Sequence, residues 1–220
     1  MGRRKDGAET RARILKVAGD LFAEKGYERA VHEEICRLAA VSTSAINYYF
    51  QSKENLYKEA WLQAFNDSLE RYPASGGVPE DAPPDERLRG RIVATVHRTI
   101  DPENIAFDIV YREIANPSGL LGEVIQEAIL PFREELRSLI RALLGANATE
   151  GDILFCEMSI MGQCLNPMVL NKHFMRKWHN DQRKLAPEFD SSAYAEHIAS
   201  FSVAGLREVA RRLDAATQNA

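Results

Sequence analysis

The sequence predicts an all-α protein, and three observations lead to this fold class. Apolar residues recur at helical spacing along most of the 220 residues. No stretch alternates apolar and polar residues over a useful length, as a half-buried strand would. Proline and glycine are concentrated in residues 73–84, PASGGVPEDAPP, which is typical of a loop between two modules. We therefore expect a three-helix head, a connecting helix and a larger helical body.

The head is expected to contain three short helices in close succession. The first has an apolar stripe at helical spacing and is expected to stop at Gly26. The second covers residues 32–39 and is followed by a turn at residues 40–41. The third covers residues 43–49, with Ser42 as its N-cap. The stripe of the first helix consists of Ile14, Leu15, Ala18, Leu21 and Phe22.

The connecting helix and the body follow the same helical pattern. Ser52 is expected to cap the connecting helix, which runs to about residue 72. Beyond the loop, helical patterns resume at residues 85–100, 103–115, 119–144, 150–172 and 191–214. No internal repeat is visible.

The composition excludes several classes of protein. Hydrophobic residues make up 45% and charged residues 27%, which is ordinary for a globular chain. No apolar run approaches the roughly 18 residues that span a bilayer, and the basic start lacks the apolar core of a secretory signal. The three cysteines, Cys36, Cys156 and Cys164, form no CxxC pair. An odd number of cysteines fits a reducing cytoplasm and argues against a disulfide scaffold or zinc knuckle.

Charge is distributed unevenly along the chain. The net charge is −4, yet residues 1–16 hold six basic and two acidic residues, a local balance of +4. Such an asymmetry is compatible with a basic arm that approaches phosphates. A solvated N-terminus without such a role is the alternative that this feature leaves open.

The third helix carries side chains that suit a polar partner rather than a core. A short helix, a tight turn and a second short helix form a helix-turn-helix plan, whose second helix enters the DNA major groove. An asparagine amide can pair with an adenine edge, and hydroxyls and a lysine can bind phosphates. The predicted contacts to double-stranded DNA are Ser42, Thr43, Ser44, Asn47, Tyr48, Tyr49 and Lys53. Tyr27 is interpreted as a packing residue.

Residues 10–57 resemble the DNA-binding head of the TetR family of bacterial transcriptional regulators. The resemblance rests on TRARILKVAGDLFAEKGY, EEICRLAAVS and AINYYFQSKENLY, which occur together at the spacing of the family. The later stretches YREIANPSGLL, LPFREELRSLI and MSIMGQCL are similar to the regulatory domain of one branch. The resemblance implies a DNA-binding domain over residues 1–56 and an effector-binding and dimerisation domain over residues 57–220.

The cap of the second helix departs from the family pattern. The family usually places Thr or Ser where this chain has Ala30 and Val31, and that residue caps the helix and touches phosphate. Its loss is expected to cost about 1 kcal/mol of helix stability. A carboxylate at Glu33 or Glu34 can compensate through the helix dipole.

Two further departures concern the turn and the recognition helix. Ala40 stands where the family has a turn glycine, so a positive φ there would strain the backbone by about 1 kcal/mol. Asn47 stands where the family usually has an aromatic residue, and an amide reads adenine better than a phenol does. The operator sequence therefore does not follow from the resemblance.

The resemblance also implies a homodimer formed by the last two long helices. The final helix has a wide apolar face that includes small residues, which allow helices to approach closely. Ile198, Phe201, Ser202, Gly205 and Val209 are the predicted interface residues. The alternative is that this face belongs to the core of one subunit. A dimer matters because two recognition helices about 34–36 Å apart can read a palindromic operator.

A small-molecule effector is the next implication. An effector that prefers one arrangement of the body would act through the connecting helix on operator binding, usually to release a repressor. The candidate pocket residues are Phe107, Tyr111, Met158, Met161, Cys164, Met168 and Phe174. Methionine suits a site for apolar molecules, although such stripes also occur in ordinary cores.

Two other classes of function compete with a ligand-responsive repressor. An enzyme is disfavoured because the chain has no GxSxG, HExxH, Walker or dinucleotide motif. Its histidines and cysteines are not spaced as metal ligands, so neither a cofactor nor a metal is expected. The second rival is a DNA-binding or interaction protein without an effector, which the size of the body disfavours.

Overall fold

The computed structural model describes residues 2–169 and 190–218, with side chains described for residues 7–167 and 190–218. Within these ranges every regular element is a helix, which confirms the all-α prediction. The helices are α1 (Gly2–Arg29), α2 (His32–Leu38), α3 (Thr43–Phe50), α4 (Lys53–Arg71), α5 (Pro84–Ile100), α6 (Ile105–Ala115), α7 (Gly122–Leu144), α8 (Glu150–Val169) and α9 (Ser191–Gln218). Within the described ranges, each helix is too short or too polar to span a lipid bilayer.

The chain forms two compact units, which we call the head unit and the body unit. The head unit contains Met1–Ser68 and Pro102–Ile129, and the body unit contains Leu69–Asp101 and Leu130–Ala220. The head unit therefore holds α6 and the first part of α7 in addition to the helix-turn-helix segment. The expected domain boundary at residue 56 divides the chain by function and stays a prediction. The two compact units divide the helices differently.

Helix α1 supplies the centre of the head core. All five residues of its predicted stripe are buried, and Ile14, Ala18 and Phe22 are fully inaccessible. Gly26, the expected stop, has φ 77° and ψ 172° and interrupts the helical geometry before the chain continues to Arg29. Glycine adopts this left-handed region without the Cβ clash of other residues, so it can turn the chain at this point.

Helices α2 and α3 pack on α1 through a few apolar side chains. Ile35 and Cys36 of α2 are buried, as are Ile46 and Phe50 of α3. The Arg13 Nε–H of α1 donates to the Ala39 carbonyl at 2.9 Å, which ties the end of α2 to α1. The helix-turn-helix segment is thus held both by apolar burial and by a backbone contact.

The body unit is built around α5, α8 and α9. One cluster of buried side chains joins these helices with the second half of α7, and it includes Leu88, Ile92, Ile140, Ile160 and Ile198. The glycine- and proline-rich loop packs its backbone on α5. A Cβ on Gly76 would lie 2.2 Å from the Gly90 carbonyl oxygen, so only glycine permits this approach.

The turn between α2 and α3 contains a backbone strain that can be tested. Ala40 has a positive φ of 51°. This is the backbone conformation that a turn glycine at this position of the family pattern suggested. We expect Ala40→Gly to raise the free energy of unfolding by about 0.5–1 kcal/mol, because removal of the Cβ strain exceeds the added freedom of the unfolded chain. Urea denaturation followed by circular dichroism measures this change.

Ala39→Gly is the matched control for this prediction. Ala39 has φ −79° and is buried, so glycine there should lower stability. If Ala40→Gly lowers the stability as Ala39→Gly does, then the side chain of Ala40 does not strain the turn.

Candidate nucleic-acid interface

Helix α3 separates into a buried side and an exposed side. Ile46 and Phe50 are buried in the head core. On the other side, Thr43, Ser44, Asn47 and Tyr48 are exposed, and Ser42 before the helix is exposed as well. Ala45 is half-buried. The exposed side therefore presents two hydroxyls, an amide and a phenol from four positions of one helix.

The start of α3 differs in one detail from the prediction. Ser42 occupies the N-cap position, with φ −76° and ψ 157°, but its side chain makes no capping hydrogen bond. Its Oγ lies 2.8 Å from Ser44 Oγ instead. The two hydroxyls thus form a polar pair at the surface, where they remain available to a partner.

The two adjacent tyrosines have different environments. Tyr48 is 81% exposed, whereas Tyr49 is half-buried and packs against the head core. The rings meet edge to face, with centroids 4.9 Å apart. The Tyr49 hydroxyl approaches α1, since a Cβ on Gly7 would lie 3.6 Å from it. Of the two, Tyr48 is the one that the fold presents to a partner.

Lys53 is the first residue of α4, and α4 follows α3 after two residues. Its Nζ lies over the ring of Tyr27, 4.3 Å from the ring centroid. Partial burial lowers the pKa of Lys53, while the carboxylates of Glu28 and Glu54 oppose that change. Ser52 caps α4 as predicted, because its Oγ accepts the Asn55 N–H at 3.2 Å.

Tyr27 is a packing residue, as its position suggested, and it also makes a polar contact. Its ring lies against Phe22 and Tyr57, with centroids 6.3 Å and 5.1 Å away. Its hydroxyl donates to Glu54 Oε1 at 3.0 Å. Burial and the neighbouring Glu54 carboxylate raise the pKa of Tyr27 to about 12, so the hydroxyl remains a donor at neutral pH.

Several basic side chains of α1 already have partners in the head unit. Arg11 pairs with Glu59 and lies over the Phe50 ring, 5.1 Å from its centroid. Lys16 lies 3.8 Å from Asp20. Together with the Arg13 contact described above, these pairs show that part of the local positive charge stabilises the head.

The missing cap of α2 is confirmed. Val31 occupies the N-cap position and makes no side-chain hydrogen bond. Glu33 and Glu34 lie in the first turn, where carboxylates interact favourably with the helix dipole. Glu34 also accepts from Lys25 Nζ at 2.7 Å, which links the start of α2 to α1.

The predicted effector residues are divided between the two units. Phe107 and Tyr111 lie half-buried on α6 of the head unit. Cys164 is buried and Met161 half-buried on α8 of the body unit, whereas Met158 is 62% exposed. The side chain of Met168 and residue Phe174 lie outside the described ranges. The effector pocket stays a prediction.

Four of the five predicted interface residues line a groove between α8 and α9 of the body unit. The groove has a volume of about 340 Å³, and Phe155, Ser159, Phe201, Ser202, Gly205 and Val209 line it. Phe201 is 61% exposed, and Gly205 is exposed. Val209 is half-buried, while Ser202 is buried and its hydroxyl has no hydrogen-bond partner among the residues that the structure describes.

Ile198 differs from the other predicted interface residues. Its side chain is buried in the core of its own body unit. It therefore supports α9 from within, and the exposed part of the predicted face lies at Phe201 and Gly205.

Comparison with known proteins identifies the family. Residues 14–60 match the bacterial regulatory proteins of the tetR family, and residues 84–206 match the C-terminal domain of the HTH-type transcriptional dual regulator CecR. The transcriptional regulator AcrR of Shigella flexneri is 36% identical over 156 residues, which cover 69% of this chain and 72% of AcrR. This chain belongs to the TetR family.

Other TetR-family regulators match shorter parts of their sequences. The regulator UidR of Escherichia coli K12 is 29% identical over 110 residues, 49% of this chain and 54% of UidR. The chain thus spans about half the length of that relative.

Solved structures share the fold. A transcriptional regulator from Pseudomonas aeruginosa PAO1 superposes with a TM-score of 0.67 at 19% identity, covering 92% of this chain and 93% of that one. AibR, solved with isovaleryl coenzyme A and operator DNA, superposes with a TM-score of 0.61 at 16% identity. The match to AibR covers 87% of this chain and 97% of that one.

Two features of this TetR-family chain were not predicted. Phe155 lines the groove beside α9. The sequence feature that could have indicated this is the apolar run Ile153, Leu154 and Phe155, because three successive residues of a helix cannot all face one core. The contact of Lys53 with Tyr27 joins residues far apart in sequence, so helical spacing gave no sign of it.

The absent α2 cap provides a stability test for this TetR-family head. Val31 has φ −86° and ψ 147°, the extended conformation that an N-cap residue adopts. We expect Val31→Thr to raise the free energy of unfolding by about 1 kcal/mol, since its hydroxyl can accept a first-turn N–H. Thermal and urea unfolding measure the change.

Val31→Ala serves as the control, because it shortens the side chain without adding an acceptor. Equal stabilities for the threonine and alanine variants would show that the α2 terminus has no need of a side-chain cap.

Proposed function

We propose that this protein is a ligand-responsive transcriptional repressor that binds a palindromic DNA operator as a homodimer and is released by a small-molecule effector. The observation that carries the proposal is the exposed side of α3, whose opposite side is buried in the head core. Thr43, Ser44, Asn47 and Tyr48 are exposed there together. Membership of the TetR family, whose matched relatives are transcriptional regulators, supports the same conclusion.

The chemistry of this surface fits duplex DNA. An α-helix enters the major groove, which is about 12 Å wide. Asn47 lies mid-helix, where its amide can donate to and accept from one adenine edge. The hydroxyls of Ser42, Thr43 and Ser44 can donate to phosphates at the start of the helix. The Tyr48 hydroxyl and the Lys53 ammonium can also donate to phosphates.

The homodimer is proposed to form along the groove between α8 and α9. Phe155 and Phe201 are exposed aromatic side chains, and such residues are enriched at protein interfaces. Gly205 has no side chain, so a second helix can approach closely there. These features support an isologous interface, in which the same patch meets itself.

The effector is proposed to act on DNA binding through α6 as well as α4. Within the head unit, Arg112 of α6 donates to the carbonyls of Ala23 and Glu24 at 3.3 Å and 2.6 Å. Glu113 accepts the Tyr57 hydroxyl of α4 at 3.0 Å. A displacement of α6 would therefore disturb both α1 and α4. AibR shares the fold and was solved with isovaleryl coenzyme A and operator DNA. This neighbour supports a small molecule as the class of effector.

The DNA-binding proposal is tested with genomic fragments of the source organism, selected on the purified protein and measured by fluorescence anisotropy. We expect Asn47→Ala to weaken binding to the selected site by about 1–3 kcal/mol and to leave mixed-sequence DNA nearly unchanged. Lys53→Ala should weaken binding to all DNA alike and reduce the salt slope by about 1.

Asn66→Ala is the matched control, because Asn66 is also an exposed asparagine of the head unit but lies on α4. It should bind like the wild type. Failure of the wild-type protein to select any genomic fragment would contradict the proposed function.

The proposed dimer is tested by a charge in the groove. We expect Phe201→Glu to raise the dimer dissociation constant about 30-fold or more, because a carboxylate would be buried at a central aromatic position. Sedimentation equilibrium measures it. The control is Ile114→Glu, since Ile114 is exposed on α6 of the head unit and lies outside the groove. An unchanged dissociation constant for Phe201→Glu would remove the groove from the interface.

A further inference from the structure

The ammonium group of Lys53 lies over an aromatic ring of the head unit. It lies 4.3 Å from the centroid of the Tyr27 ring, well within the roughly 6 Å over which a cation is attracted to an aromatic face. The two residues are 26 positions apart and lie on different helices, so tertiary packing alone creates the contact. Lysine has one of the most flexible side chains, and a free Lys53 would sample many rotamers.

Tyr27 is itself fixed from several directions. Its ring packs on Phe22 and Tyr57, both of which are fully buried. The Tyr57 hydroxyl donates to Glu113 of α6, which also accepts the N–H of Ser118 at 2.9 Å. The aromatic platform below Lys53 therefore rests on the packed centre of the head unit.

The hydroxyl of Tyr27 contacts a carboxylate that follows Lys53 directly in the chain. It donates to Glu54 Oε1 at 3.0 Å. The carboxylates of Glu54 and Glu28 both favour the charged form of the Lys53 ammonium. Because a hydrogen bond leaves the charge of Glu54 unchanged, the contact of Tyr27 with Lys53 depends on the ring and not on the hydroxyl.

We propose that Tyr27 is a positioning residue for DNA binding, whose ring holds the Lys53 ammonium where it meets a backbone phosphate. The inference rests on the proposed DNA-binding function and assigns Tyr27 a role beyond packing. Ordering the lysine in advance lowers the entropy that is lost on binding, which is the general benefit of preorganisation. Tyr27 itself does not touch the DNA.

The position of Lys53 is tested first without DNA. In the NMR spectrum of the full-length protein, the ring current of Tyr27 should shift the Lys53 ε-methylene protons upfield. Tyr27→Phe should keep this shift because it keeps the ring, and Tyr27→Leu should abolish it. Unshifted protons in the wild type would overturn the proposal, whatever the protein does with DNA.

The role in binding is tested by a double-mutant cycle on a labelled duplex of mixed sequence at low salt. We expect Tyr27→Leu to weaken binding about two- to fivefold, as the cation–π energy implies. Tyr27→Phe should bind within about twofold of the wild type, since the ring carries the effect. In a Lys53→Gln background, Tyr27→Leu should have no further effect, because Tyr27 acts only through Lys53.

The cycle separates positioning from a merely structural role. A damaged head would weaken binding equally in both backgrounds, and that result would overturn the proposal. Tighter binding by Tyr27→Leu would also overturn it, because Lys53 would then have to leave the ring to reach a phosphate. If the wild type binds no duplex while the NMR shift is present, the proposed function fails, and the positioning role fails with it.

Discussion

The burial of Ile46 and Phe50 against α1 is the interaction on which the rest of the candidate interface depends. Both side chains belong to the head core, so the opposite side of α3 is forced outward. Asn47 and Tyr48 owe their exposure to this anchoring. Arg11 adds a cation over the Phe50 ring, and Arg13 donates to the carbonyl at the end of α2, so α1 holds α2 and α3 through three kinds of contact.

The head unit extends beyond the segment that would read DNA. Arg112 donates to two carbonyls near the end of the regular part of α1, where helical carbonyls lack intrahelical partners. Glu113 accepts the Tyr57 hydroxyl, and Tyr57 packs on the ring that lies under Lys53. Helix α6 is therefore connected to the candidate phosphate-binding lysine by an unbroken series of contacts. This arrangement gives the proposed effector response a physical route inside one compact unit.

The head tolerates two local departures from the family pattern. Ala40 adopts a left-handed φ that suits glycine, and Val31 leaves the start of α2 without a side-chain cap. Each is worth about 1 kcal/mol, which is small beside the burial of the shared core. The ion pair of Glu34 with Lys25 and the Arg13 contact hold both ends of α2. Local propensity is thus overridden by tertiary contacts at both positions.

The sequence by itself determined the helices, the buried stripe of α1, the Ser52 cap and the polar character of α3, because these depend on residue type and on spacing within one helix. It also indicated most of the side chains that α3 exposes. Only the tertiary structure decided that Tyr48 rather than Tyr49 is exposed, that Tyr27 holds Lys53, and that α6 belongs with the head. Those outcomes depend on contacts between residues distant in the chain, and helical periodicity carries no information about which helices will meet.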